Sequence, residues 1–123
     1  MYELIVERHF SAAHRLRCYD GPCARVHGHN YKVELCVGGT ELQHNGMLLD
    51  FGILKQVCDE ILDGMDHRML NELPQFSEIN PTSENIARYV YVRAKEALAE
   101  HGLSPSHVRV WETSSQSATY TEG

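Results

Sequence analysis

His27-Gly28-His29 is the densest concentration of potential chemistry in this 123-residue sequence. In an extended strand, residues i and i+2 project from one face, so the two imidazoles would stand side by side and could grip one ion. Their parity matches that of Tyr31 and Val33, and His14 ends the apolar face of an earlier strand in the same way. If those strands pair as neighbours, three imidazoles converge. Three histidines with no fourth protein ligand is the pattern of a catalytic zinc with an open position, whereas a structural site is closed by four protein ligands. A rival arrangement takes Cys18, Cys23, His27 and His29 as a closed structural site in a binding module. Its Cys-x4-Cys spacing suits a zinc ribbon, but His-x-His is tighter than the His-x3-5-His of finger sites. The plain alternative is two ordinary strand histidines.

Other residues could move protons. Cys23 stands four residues before His27 in a loop opened by Asp20-Gly21-Pro22. A thiol near a divalent cation and Arg25 would have its thiolate favoured, which suits a base or nucleophile. Asp66-His67 sets a carboxylate beside an imidazole, the logic of an acid/base relay, although such dipeptides are common on surface turns. Glu112 shares the parity of Val108 and Val110. A carboxylate aimed into a core face needs a partner, either a ligand with paired N–H donors or an arginine such as Arg109. Cys36 and Cys58 read as packing residues, Cys18 is undecided, and His9, His44, His101 and His107 receive no role.

The elements that must position these groups follow from periodicity. Leu4, Val6, Phe10, Ala12 and His14 share one parity within a strand over residues 2–14. Tyr31, Val33, Leu35 and Val37 alternate with Lys32, Glu34 and Cys36 in a second strand that ends at Gly38-Gly39. The period then turns helical. Asp50 is the N-cap for a stripe of Phe51, Leu54, Val57, Cys58, Ile61 and Leu62, with Gly64 at the end. A second helix begins after Pro81, capped by Thr82 or Ser83, with Ile86, Ala87, Val90, Tyr91, Ala94, Ala97 and Leu98 on one face, and stops at Gly102. Val108, Val110 and Glu112 alternate in a third strand, and a polar turn over Ser114-Ser115-Gln116-Ser117 leads to a last strand through Ala118 and Tyr120. The order β-β-α-α-β-β predicts an α+β fold: a four-stranded antiparallel sheet with two helices on one face. Open sheet edges need covering, which predicts oligomerisation by edge pairing.

Composition narrows the class. A length of 123 residues predicts one domain spanning 1–123, and 42% hydrophobic with 23% charged residues is a globular composition. Seventeen acidic against eleven basic side chains give a net charge of −6, which argues against a nucleic-acid partner bound through phosphates. No apolar run is long enough to span a bilayer, so no membrane partner is expected. The first residues lack a signal-peptide pattern, and the expected compartment is the reducing cytoplasm, where four cysteines need not pair.

Phe10-Ser11-Ala12-Ala13-His14-Arg15-Leu16, Cys23-Ala24-Arg25-Val26-His27-Gly28-His29-Asn30-Tyr31, Leu49-Asp50-Phe51, Asp66-His67, Pro81-Thr82-Ser83-Glu84-Asn85 and Glu112-Thr113 together resemble the 6-pyruvoyltetrahydropterin synthase family. The short Cys-x3-His-Gly-His spacing is similar to the bacterial 6-carboxytetrahydropterin synthase branch of queuosine (7-deazapurine) biosynthesis. The resemblance implies Zn2+ on His14, His27 and His29, Cys23 as proton-abstracting base, and Asp66 with His67 as a second relay. It implies Glu112 as the anchor of the pterin ring, helped by Thr82 and Ser83. It also implies the tunnelling fold, with sheets of several subunits closing a barrel, two trimers stacking into a homohexamer, and sites at subunit interfaces. The substrate would be 7,8-dihydroneopterin triphosphate, converted to 6-carboxy-5,6,7,8-tetrahydropterin with release of acetaldehyde and triphosphate. Arg15 and Arg25 would offset the triphosphate charge. Two alternatives remain: a 6-pyruvoyltetrahydropterin synthase that eliminates triphosphate without releasing acetaldehyde, and a non-catalytic zinc-stabilised module that binds a purine or pterin. Ser114-Ser115-Gln116-Ser117 departs from the family pattern beside the pterin pocket.

Overall fold

The computed structural model describes residues 1–17, 21 and 24–123. Strand β1 (Tyr2–His14) pairs antiparallel with β2 (His27–Gly39), which pairs with β3 (Ser104–Thr113), which pairs with β4 (Gln116–Tyr120), giving a four-stranded sheet in sequence order. Helices α1 (Phe51–Asp63) and α2 (Ser83–Leu98) pack over one face. Val6, Phe10, Tyr31, Val33, Leu35, Val37, Val108 and Val110 meet Leu54, Cys58 and Leu62 of α1 and Ile86, Val90, Ala94 and Leu98 of α2, all buried. The parity read from the sequence is the parity that makes this core.

Both helix starts are chemically marked. Asp50 accepts from the Gly52 N–H at 2.6 Å, and Thr82 accepts from the Asn85 N–H at 3.1 Å, each satisfying a donor that the first turn leaves free. Gly64 closes α1. Helix α2 ends with its apolar stripe at Leu98, short of the expected stop at Gly102: the chain tightens into a 3₁₀ turn over Ala99–His101, and Gly102 then takes the left-handed conformation, φ 69°. Phe51, assigned to the apolar stripe, is 54% exposed at the first position of α1, and the buried stripe runs from Leu54 through Cys58 to Leu62. The β3–β4 turn is shorter than expected, since Gln116 and Ser117 already belong to β4.

Strand β2 begins at His27, so His27 and His29 lie in the strand at the end of the Tyr31 face, as their parity predicts. Its first residues are recruited by register: His14 lies opposite His27, Ala12 opposite His29 and Phe10 opposite Tyr31. Phe10 and Tyr31 stack with ring centroids 4.8 Å apart, pinning that register just inside the histidines. Two short 3₁₀ turns, Leu70–Glu72 and Pro74–Phe76, bury Leu70 and Phe76 in the core without any periodic signal in the sequence.

Candidate active site and metal centre

The ends of β1 and β2 deliver the three imidazoles to one point. One ligand atom each from His14, His27, His29 and Glu112 lie within 4.8 Å of one another. His14 Nε2 and His27 Nε2 are 3.0 Å apart. His14 Nδ1 lies 2.7 Å from the Pro81 carbonyl and His27 Nδ1 lies 2.7 Å from the Arg25 carbonyl. A carbonyl can only accept, so both Nδ1 atoms carry the proton and both Nε2 atoms present bare lone pairs to each other. His29 Nε2 is buried and has no hydrogen-bond partner among the described residues; Glu112 Oε1 is 3.1 Å away but misaligned for one. Facing lone pairs and an orphaned buried nitrogen fit a bound cation, and carbonyl-fixed tautomers are the usual outer support of histidine ligands.

Electrostatics agree with neutral imidazoles. Burial holds His14 below the ordinary imidazole range, overcoming the opposing pull of the Pro81 carbonyl. Burial does the same to His29, against the neighbouring Glu112 charge. The Tyr31 hydroxyl, 3.3 Å from His14 Nδ1 and fully buried, is pushed up by desolvation and stays protonated.

Glu112 occupies the border of the cluster. Its Oε2 accepts from the Ser83 hydroxyl at 3.0 Å, tying the end of β3 to the start of α2. Arg109, offered by the sequence as its partner, faces elsewhere and donates to Thr119 at 2.8 Å, because three positions along a strand reverse the face. The expected set of three ligands therefore gains a carboxylate within reach. Ser83 and Glu112, with Gln116 and Ser117, line a cavity of about 210 Å³. The Thr82 hydroxyl is engaged at the helix cap.

Asp66 and His67 are not among the converging ligand atoms. The Ser11 N–H donates to Asp66 Oδ1 at 2.9 Å, and the His67 N–H donates to the Ser11 carbonyl at 2.6 Å, so the turn is stitched to the outer edge of β1. His67 adopts φ 58°, the left-handed region a non-glycine residue rarely takes and one often found at functional sites. Its Nδ1 is 3.0 Å from Asp66 Oδ1, and its side chain is 81% exposed. The Ser11 N–H, then His67, draw the Asp66 carboxyl below its usual range. His67 opens on a cleft of about 480 Å³ that it shares with His29 of the cluster, walled by Ser11, Ala13, Gly28 and Asn30.

Residues 3–123 match the 6-pyruvoyl tetrahydropterin synthase family. The chain belongs to that family. It is 36% identical over 115 residues to the 6-carboxy-5,6,7,8-tetrahydropterin synthase of Bacillus subtilis, an alignment covering 89% of this chain and 77% of the relative. Against the enzyme of the same name from Haemophilus influenzae it is 31% identical over 145 aligned positions, with 99% and 100% covered. The solved 6-pyruvoyl tetrahydropterin synthase of Caenorhabditis elegans superposes with a TM-score of 0.85 at 32% identity, over 100% of this chain and 98% of that one. The sheet with its two helices is thus the family's tunnelling fold.

Cys23 and Cys18 lie outside the described residues, so the base and the rival four-ligand site have no geometry here. Among the described residues Cys36 and Cys58 are free thiols. Sequence reasoning missed the carbonyls of Pro81 and Arg25, which carry no side-chain signal. It also missed Arg17, whose guanidinium donates to the carbonyls of Asn71, Phe76 and Ile79 while its backbone N–H donates to Asn80. That buckle holds the segment leading to Pro81, and hence the acceptor that fixes His14. Arg15 and Arg25 are exposed.

Proposed function

We propose that the protein is a zinc-dependent 6-carboxy-5,6,7,8-tetrahydropterin synthase, converting 7,8-dihydroneopterin triphosphate with release of acetaldehyde and triphosphate, in the cytoplasmic route to queuosine and other 7-deazapurines. The observation that carries the reading is the convergence of His14, His27 and His29 on one point in a chain that matches its family over residues 3–123. The 31–36% identity to two synthases of that name supports the carboxypterin branch.

The three Nε2 atoms would hold Zn2+, which when bound supplies a Lewis acid for the substrate's side-chain hydroxyls. The residues do the rest. Glu112 accepts the paired N–H donors of the pterin edge, with the Ser83 hydroxyl orienting its carboxylate and Thr82 setting the helix start beside it. Cys23 removes a proton from the substrate side chain, and His67, held by Asp66, delivers protons on the opposite side. Arg15 and Arg25, both exposed and close in sequence to His14 and His27, would offset the triphosphate charge.

A cavity of about 210 Å³ beside Glu112 is smaller than the roughly 300 Å³ at which ligand pockets begin, which supports a site completed by another subunit. The sheet's edges, β1 and β4, are open to pairing: a trimeric barrel, with two trimers forming a homohexamer, would set the Asp66–His67 relay of one chain against the zinc of another.

The test is incubation with 7,8-dihydroneopterin triphosphate and assay of acetaldehyde alongside the pterin product. Acetaldehyde with carboxypterin is the expected result. Pyruvoyl product without acetaldehyde would assign the reaction of the Caenorhabditis elegans neighbour instead, and no turnover by zinc-loaded protein would leave the binding module.

A further inference from the structure

A second set of metal-ligand types meets on the sheet face away from the helices. Glu3 of β1, Cys36 of β2 and His107 of β3 bring a carboxylate oxygen, a sulfur and an imidazole nitrogen within 4.8 Å of one another. We infer that Glu3, Cys36 and His107 form a second binding site for a thiophilic divalent cation such as zinc or cobalt, separate from the histidine cluster.

The site is built by register. Cys36 pairs directly with His107, and the ladder slips between Cys36 and Val37, so that Val37 faces Pro105 and Ser106 is the extra residue of a bulge. A bulge bends its strand and re-aims side chains, and here it places the Ser106 hydroxyl against the Cys36 sulfur. Gly38 leaves that space open: a Cβ there would stand 2.6 Å from Ser106 Oγ. Cys36 is wholly buried, although its face of the sheet carries no helix, because Glu3 and His107 roof it.

The donor set decides the ligand class. Sulfur, imidazole and carboxylate from three adjacent strands leave a fourth position for water, the arrangement borderline-soft divalent ions take and magnesium or calcium do not. Without metal, the thiol donates to Glu3 Oε2 at 3.2 Å, and burial followed by the Glu3 carboxylate pushes it up to about 11. Metal binding displaces that proton to solvent and leaves the Ser106 hydroxyl as a donor to the thiolate, as outer partners of a metal site commonly serve.

The experiment titrates zinc-free full-length protein with Co2+, following stoichiometry and the near-ultraviolet thiolate-to-cobalt absorption, for the native sequence, Cys36→Ser and His107→Gln. Cys23 is present in all three, so differences report Cys36 and His107 alone. The native protein is expected to bind one cobalt per chain more than either variant, with the added thiolate band lost in Cys36→Ser. Equal stoichiometry and superimposable spectra in native and variant proteins would overturn the site and leave a simple thiol–carboxylate hydrogen bond. If Cys36→Ser does not fold, His107→Gln, at a half-buried surface position, decides alone by the same loss of one equivalent.

Discussion

At the histidine cluster His29 stands 3.1 Å from Glu112, with side chains 18% and 20% exposed; at the Asp66–His67 turn the same chemical pair is 3.0 Å apart and 81% and 38% exposed. Distance is common to both, and environment separates them. The cluster is held by side-chain burial, by strand register and by carbonyls that fix two tautomers. The turn is held by backbone, through Ser11 and a left-handed His67, and its imidazole projects from the molecule. A metal ligand needs a desolvated, fixed lone pair, which one chain can build alone. A proton relay needs access to substrate, and an exposed, backbone-fixed imidazole is suited to a surface that another subunit covers.

Breaking the cluster should have the largest effect. His29→Ala is expected to lose bound zinc and lower kcat/KM by on the order of 10⁴-fold, since several kcal/mol of transition-state stabilisation go with the ion. Metal analysis beside kinetics checks it, and full turnover in a zinc-free variant would undo the ligand assignment. Breaking the relay should cost less: His67→Ala and Cys23→Ala are each expected to lower kcat by about 10²–10³-fold while keeping their zinc. Zinc lost from His67→Ala would mean that the two regions are not separate.

Acid sharpens the contrast. His14 and His29 titrate below 6.5 when folded, so the unfolded chain takes up protons that the folded cluster refuses. The stability of the zinc-free protein should therefore fall as pH drops through 6.5, and zinc affinity should fall with it. Denaturant unfolding at stepped pH reads this; a flat profile from pH 7 to about 5 would contradict buried neutral histidines. The smallest effect is expected from Thr82→Ala, about 1 kcal/mol of stability from the lost α2 cap, with KM moved little. A large rise in KM would make Thr82 a substrate ligand as well as a cap.

Much of the cluster was legible because strand parity is a sequence property: His14, His27 and His29 share the face of Phe10, Tyr31 and Val33, and register then does the rest. The caps at Asp50 and Thr82 were readable for the same local reason. Glu112's true neighbours were not, since Ser83 reaches it through packing of α2 on β3 and His29 through the neighbouring strand β2, which is remote in sequence. Nor was the left-handed His67, because a non-glycine residue in that conformation is imposed by the bonds to Ser11 and leaves no local mark. His107 was passed over as an isolated histidine; only the β2–β3 register, which pairs it with Cys36, brings the two together.

The split between a metal-binding half and a relay half is tested most directly by mixing two inactive proteins, His14→Ala and His67→Ala, under conditions that exchange subunits. If each active site takes its zinc from one chain and its relay from another, random mixing restores about a quarter of the native activity in hybrid sites. Mixtures that exchange subunits yet stay as inactive as their components would contradict it, placing both halves of the site within one chain.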